Sequence, residues 1–319
     1  MNYYLGIDLG GTNIATGLVN ENFNIIAKDS VKTNIPRPAN EIMDDMATVA
    51  LSVVKNAGLT MDDIECVGVG APGTVNSKTG MIDFSNNLFL YDVPLREYLE
   101  KKLNMKVYIE NDANAAAYGE YIAGSAKGAK TAVLITIGTG IGSGIVIDNK
   151  IYTGFNFAGA ELGHSVIVQN GNECTCGRKG CFETYGSATA LINMTKEAML
   201  KDKNTIMWQL CENDIENVSG KTSFKAMRQN DQAGKNVVNT YIKYLACGLT
   251  NVINVFQPNI LCIGGGICKE GDALLLPIKE IIKKEVFSRH SKQQTEIVIA
   301  SLGNDAGIIG AAMLNKIKR

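Results

Sequence analysis

This 319-residue chain predicts an α/β protein of two lobes, each a mixed sheet with helices packed on it. Three observations carry that prediction. Residues 3–24 and 131–152 match at a constant shift of 128, with Leu5 on Val133, Ile7 on Ile135, Leu9 on Ile137, Gly10 on Gly138, Leu18 on Val146 and Val19 on Ile147. The polar turn Asn20-Glu21 falls on Asp148-Asn149, so each copy reads strand, glycine turn, strand, polar turn, strand. After each copy, helical periodicity and single apolar runs take over, in a chain long enough for two cores.

The elements follow in order. Tyr3 to Ile7 opens the first strand, and 40–56 reads as a helix with Ile42, Met46, Val49 and Val53 on one face. Cys66 to Gly70 is a strand entering the turn Ala71-Pro72-Gly73, and 107–109 is another. An alanine-rich helix runs from Asn114 to Ile122 and stops at Gly124. The second half is more helical, at 187–201, 204–211 and 232–255. A buried strand, 259–263, then ends in Gly264-Gly265-Gly266 before a helix near 273–286. The last strand is 296–300, and a terminal helix starts at Ala306. The expected lobes are 1–118 with 303–319, and 119–302.

Composition excludes several classes. At 45% hydrophobic, 20% charged and a net charge of −1, the chain has no basic surplus for nucleic acid and no polybasic tail for an anionic membrane. Met1 leads straight into a strand-like run with no charged n-region or cleavage site, and no apolar run approaches about 18 residues. The expected address is cytoplasmic. Eight cysteines in such a chain do not read as a disulfide framework. Cys66, Cys211, Cys247, Cys262 and Cys268 are scattered and read as small hydrophobes or inert thiols.

The other three cysteines do not. His164, Cys174, Cys176 and Cys181 fall within eighteen residues with the spacing H-x9-C-x-C-x4-C. The residues between the cysteines are Thr175, Gly177, Arg178, Lys179 and Gly180, a turn-forming set that suits wrapping around a metal rather than burial in a core. Cys3His is a closed tetrahedral zinc set. Glu161 and Glu183 flank it, which is more than a metal clip needs. Glu161 and His164, three apart, would share one face of a helical turn. His290 sits in a polar run without such company and reads as solvated surface.

Two glycine turns suit phosphates. Asp8-Leu9-Gly10-Gly11-Thr12-Asn13 ends the first strand; its paired glycines can turn backbone amides toward an anion, and Asp8 can hold magnesium through water. The same residues also suit an ordinary glycine hairpin. Gly138-Thr139-Gly140-Ile141-Gly142-Ser143-Gly144 places four glycines in seven residues, which weakens a hairpin unless something approaches the backbone closely. Neither is a Walker A sequence. Gly264-Gly265-Gly266 suits either a nucleotide lying against backbone or a tight turn. In Glu110-Asn111-Asp112-Ala113-Asn114, Asp112 suits the N-cap of the alanine-rich helix, a general base for a substrate hydroxyl, or both; Asn111 offers an amide to sugar hydroxyls.

Together these motifs resemble the ROK sugar kinases (repressor, open reading frame, kinase) over nearly the whole length. The matching run is Asp8-x-Gly-Gly-Thr12, Gly70-Ala-Pro-Gly73, Asn86-Asn87-Leu88, Glu110-Asn-Asp112, Gly138-Thr-Gly140-x-Gly142, Glu161-x-Gly-His164 and Cys174-x-Cys176-Gly177-x-x-Gly180-Cys181-x-Glu183. The resemblance implies the actin-like, hexokinase-like ATPase fold of duplicated ribonuclease-H-like domains, here with a zinc-binding loop. It implies Asp112 as the base. It implies Gly73, Asn87, Asn111, Asp112, Glu161, His164 and Glu183 as sugar contacts, with His164 giving its other ring nitrogen to zinc. ATP with Mg2+ would use Asp8, Gly10, Gly11, Thr12, Asn13, Thr139, Gly140, Gly264, Gly265 and Gly266. Zinc would be structural, and lobe closure would exclude water.

Glu183-Thr184-Tyr185-Gly186-Ser187-Ala188-Thr189-Ala190 looks most like the glucokinases of the family, so ATP-dependent phosphorylation of glucose by a homodimer is the expectation. Alternatives are allose, mannose, fructose or N-acetylmannosamine as substrate, and a sugar sensor without catalysis. Many members carry a tryptophan after the Asn-Leu pair. Here Leu88 is followed by Phe89-Leu90-Tyr91, and Trp208 is the one tryptophan, which leaves the choice of sugar open. The family's repressors need a helix-turn-helix, usually before the sugar domain, which a chain expected to open on the strand that ends in Asp8 does not supply.

Overall fold

The computed structural model describes residues 2–317. The chain opens with β1 (Tyr3–Leu9), β2 (Asn13–Asn20), β3 (Ile25–Lys32), α1 (Ala39–Asn56) and β4 (Ile64–Ala71). Three short strands follow, β5 (Thr74–Asn76), β6 (Met81–Ser85) and β7 (Leu90–Val93), then α2 (Leu95–Leu103), β8 (Val107–Asn111) and α3 (Asp112–Ala123). The echo then begins with β9 (Thr131–Ile137), β10 (Ile141–Ile147) and β11 (Lys150–Ile151). The helices α4 (Glu183–Gly186), α5 (Ala188–Lys201), α6 (Met207–Leu210), α7 (Thr222–Arg228) and α8 (Gln232–Phe256) come next. β12 (Ile260–Gly264), α9 (Asp272–Glu285), β13 (Glu296–Ile299) and α10 (Ala306–Ala312) complete the order.

The internal match is structural. One five-stranded sheet runs β3-β2-β1-β4-β8 and the other β11-β10-β9-β12-β13. In the first, β1 pairs antiparallel with β2 and parallel with β4, and β4 pairs parallel with β8. A third sheet, β5-β6-β7, was not expected; strands of three to five residues leave too short a pattern to read. α2 and α7 were also unforeseen. Segment 204–211 is helical over Met207–Leu210 alone. Its start is drawn away from helix by Asp231, whose carboxylate accepts from the Thr205 hydroxyl at 2.9 Å and the Ile206 N–H at 3.2 Å.

Two compact units divide the chain. One comprises Met1–Leu134, Ser143–Ala160 and Ala300–Arg319, the other Ile135–Gly142 and Glu161–Ile299. The division differs from the expected 118/119 break, which would cut α3 in the middle. α3 cannot be cut there because it packs backbone-close on α10: a Cβ at Gly119 would stand 2.2 Å from the Ala306 carbonyl oxygen. α10 lies equally close on the first sheet, where a Cβ at Gly6 or Gly68 would meet the carbonyl oxygens of Ile308 and Ala311 at 2.0 and 1.8 Å. The core of this unit joins Leu5, Ile7 and Leu9 of β1 with Val67 and Val69 of β4 and Ile42, Met46, Val49 and Val53 of α1. That is the expected apolar face of the helix, at its i, i+4, i+7 spacing. Among the described residues no helix is long and apolar enough to cross a membrane.

Candidate active site

In the first unit, chemistry gathers at the C-terminal ends of parallel strands, where open α/β sheets place their ligands. Asp8 sits in register with Gly70 of β4, and Gly70 with Glu110 of β8. The turn after β1 closes with the Gly10 N–H donating to the Asn13 carbonyl at 2.9 Å. Thr33, directly after β3, braces it: its hydroxyl donates to Gly10 O at 2.7 Å and its N–H to Thr12 O at 2.9 Å. Burial, and then the charge of Asp112, push the Asp8 carboxyl up to about 7. A carboxylate raised by desolvation and by the charge of a second carboxylate is a hard-oxygen donor that suits Mg2+, whose charge would offset the repulsion.

The cap of α3 is Asn111, not Asp112. Asn111 keeps an extended backbone while its Oδ1 accepts from the N–H groups of Ala113 at 2.9 Å and Asn114 at 3.1 Å. It can do so because its Nδ2 is anchored on Gly73 O at 3.0 Å. Glu110, buried, accepts from the Asn111 N–H and from Asn114 Nδ2, at 2.9 and 3.0 Å. The capping duty that sequence assigned to Asp112 is thus met by its neighbour. Asp112 accepts from the Ala113 N–H at 2.8 Å. Burial raises its pKa, and the Ala113 N–H pulls the other way. Such a carboxylate, at a helix N-terminus and spared from capping, is suited to taking a proton. Asn111 in turn keeps less of its amide for a ligand than the sequence suggested. Gly73 has φ 103°, and a Cβ there would meet Phe84 O at 2.1 Å. Asn87 is exposed in the turn between β6 and β7.

In the second unit, the Gly138-Thr139-Gly140 turn lies between β9 and β10, closed by the Gly138 N–H on Gly140 O at 2.9 Å. Of the run's other glycines, Gly142 and Gly144 lie within β10. Gly144 answers to packing rather than to phosphate, since a Cβ there would stand 2.5 Å from that of Ala117 in α3. β12 ends at Gly264. Gly265 has φ 105° and would drive a Cβ into Ile137 O at 2.0 Å. A 3-10 turn, Gly266–Glu270, separates this triplet from α9.

His164, Cys174, Cys176 and Cys181 converge as their spacing predicted: the four ligand atoms lie within 4.8 Å of one another. His164 Nδ1 is 3.6 Å from Cys174 Sγ, and Cys176 Sγ is 3.7 Å from Cys181 Sγ. A tetrahedron with metal–sulfur bonds of about 2.3 Å and a metal–nitrogen bond of about 2.0 Å has edges of about 3.8 Å and about 3.5 Å. The residues therefore fit a tetrahedral metal, and the donor set is one that zinc takes. The tight hairpin that gathers them has the Cys174 N–H on Arg178 O at 2.8 Å and a bridge between Val166 and Cys181. His164 closes a 3-10 turn, Leu162–His164, with its N–H on Glu161 O at 3.1 Å, and i and i+3 positions eclipse in such a turn. With Nδ1 in the cluster, Nε2 is the ring nitrogen left over. Glu183 opens α4, its Oε2 accepting from the Ile141 N–H at 2.8 Å. Sequence reasoning gave no loop-holding role to Thr33, Glu110, Ala188 or Thr189; the last three stand in the motifs quoted above, whereas Thr33 stands in none.

Comparison with known proteins identifies the family. The ROK family model matches residues 4–318. A glucokinase of Streptomyces coelicolor is 35% identical over 98% of this chain and 98% of its own. The crystal structure of a ROK family glucokinase from Streptomyces griseus in complex with glucose and AMPPNP superposes with a TM-score of 0.83 at 33% identity, covering 98% of this chain and 99% of that one. The xylose repressor of Bacillus subtilis is 30% identical over 98% of this chain but 76% of its own length.

Proposed function

The chain belongs to the ROK family, and from that premise we propose that it is a sugar kinase transferring the γ-phosphoryl group of ATP to glucose, giving glucose 6-phosphate and ADP. The observation that carries the chemistry is Asp112, a buried carboxylate with raised affinity for a proton, spared from capping by Asn111.

In this reading Asp112 accepts the proton of the 6-hydroxyl as that oxygen attacks the γ-phosphorus and the bond to the β,γ-bridging oxygen breaks. Asn87, Asn111 through its remaining Nδ2 hydrogen, the Gly73 backbone, Glu161, His164 through Nε2, and Glu183 bind and orient the sugar. The turns Gly10–Asn13, Thr139–Gly140 and Gly264–Gly266 receive the nucleotide, with Asp8 toward its cation. Mg2+, when bound, would offset phosphate charge. Zn2+ would be held by His164, Cys174, Cys176 and Cys181, where it supplies folding energy rather than Lewis acidity. Family resemblance further proposes a cytoplasmic homodimer, the oligomeric part of which light scattering tests.

A coupled assay across hexoses and amino sugars tests the reading, with turnover highest on glucose. Asp112→Asn should cut kcat about 10²- to 10⁴-fold and leave glucose binding intact; near-normal turnover would remove Asp112 as the base. The similarity to the xylose repressor favours one other reading, a sugar-responsive regulator. Sugar binding without turnover on any member of the panel would support it instead.

A further inference from the structure

The turn between β9 and β10 is held by one stretch of chain, 183–189, that begins two residues after the last cysteine of the metal cluster. Glu183 Oε2 accepts from the Ile141 N–H at 2.8 Å. The Ala188 N–H donates to Gly138 O at 2.9 Å. The Thr189 hydroxyl donates to Thr139 O at 2.8 Å. Gly138 and Thr139 of the turn and Ile141 at its exit are thereby fixed from one side. Contact is close enough to restrict sequence: a Cβ at Gly140 would stand 2.2 Å from Glu183 Oε2. The cluster grips the same place through a second element. Gly163, next to His164, is so near that a Cβ there would stand 2.3 Å from Ile141 O. Glu183 Oε1 also lies 3.8 Å from Cys174 Sγ.

We propose that Glu183 and Thr189, with the Ala188 backbone, are positioning groups for the Gly138–Gly140 turn, through which the metal cluster sets affinity for the nucleotide. The proposal rests on the kinase reading, in which this turn receives phosphates. The physical logic is preorganisation: a phosphate-binding turn tied back at Gly138, Thr139 and Ile141 is held in one shape, whereas a loosened turn must be ordered at the moment of binding. The metal would then affect ATP more than its position beside a sugar ligand alone requires.

Thr189 is the discriminating residue, because it is exposed and belongs to neither the metal set nor the proposed sugar contacts. In calorimetric titrations of metal-loaded protein with AMPPNP, Thr189→Val should weaken binding about three- to tenfold. Glucose affinity should be unchanged, the KM for ATP should rise more than kcat falls, and Thr189→Ser should restore both. Chelated wild-type protein, with its fold followed by circular dichroism and its metal content measured, should lose nucleotide affinity in the same direction. Unchanged AMPPNP affinity in Thr189→Val, or equal weakening for glucose and AMPPNP, would overturn the positioning role. Folded metal-free protein that binds AMPPNP normally would overturn the link to the cluster. Wild-type protein that binds no AMPPNP would instead sink the kinase reading itself.

Discussion

The turns after β1 and after β9 are copies of one design, and they differ in charge and in what holds them. At the shift of 128, Asp8 corresponds to Thr136, so the first copy ends its strand with a buried carboxylate and the second with a neutral residue. The first turn is braced from its own sheet, by Thr33 at the end of the eight-residue β3. The second cannot be, because the matching strand β11 has two residues. Segment 183–189, beyond the metal hairpin, does that work instead. The difference teaches that duplication supplied two equivalent frames. One ends in a buried carboxylate braced from its own sheet, and the other in a neutral turn braced by the segment beside the candidate metal cluster.

Changes at charged or metal-bearing positions should separate the copies most. Asp8→Asn should lower turnover about a hundredfold or more, whereas Thr136→Val should change it little; comparable losses at both would break the asymmetry. Cys176→Ala should lose the metal, measured by elemental analysis, and destabilise the second unit by several kcal/mol, since a structural zinc contributes folding energy. Wild-type protein without zinc would end that expectation.

The electrostatic contrast has its own signature. Asp8 is raised from 3.8 to about 7, so its stabilising effect is fully present below 3.8 and lost as pH rises through about 7. Metal-free Asp8→Asn should therefore melt higher than wild type at pH 8, by at most about 4 kcal/mol in stability, and not at pH 4. Equal melting at both values would show that Asp8 is not desolvated. The raised Asp112 predicts that kcat/KM falls on acidification with a limb above the ordinary carboxylate range of about 4. Thr33→Val, which leaves Gly10 O without its 2.7 Å donor, should cost about 1 kcal/mol in chemical denaturation.

Much of this was legible in residue order. The echo, the metal hairpin and the helix and strand periods are local or regularly spaced, and local patterns survive without tertiary knowledge. The cap of α3 is the instructive difference. An aspartate opening an alanine-rich helix is a good cap by propensity, yet Asn111 takes the role because Gly73, 38 residues away, holds its amide in place. The short sheet β5-β6-β7 was missed for want of length, and the start of α6 because Asp231 competes for its backbone.

Family membership, the duplicated frame and the four residues that gather as a candidate metal cluster were determined by the sequence itself, since each is a matter of residue type at fixed spacing. Tertiary structure decided which neighbour caps α3, why α3 stays whole against α10, and what braces each glycine turn. Those outcomes turn on groups distant in the chain, as Asn111 meets Gly73 across 38 residues and Thr189 meets Thr139 across 50. A hydrogen bond across such a span leaves no period in the chain, because only folding brings its two ends within 3 Å.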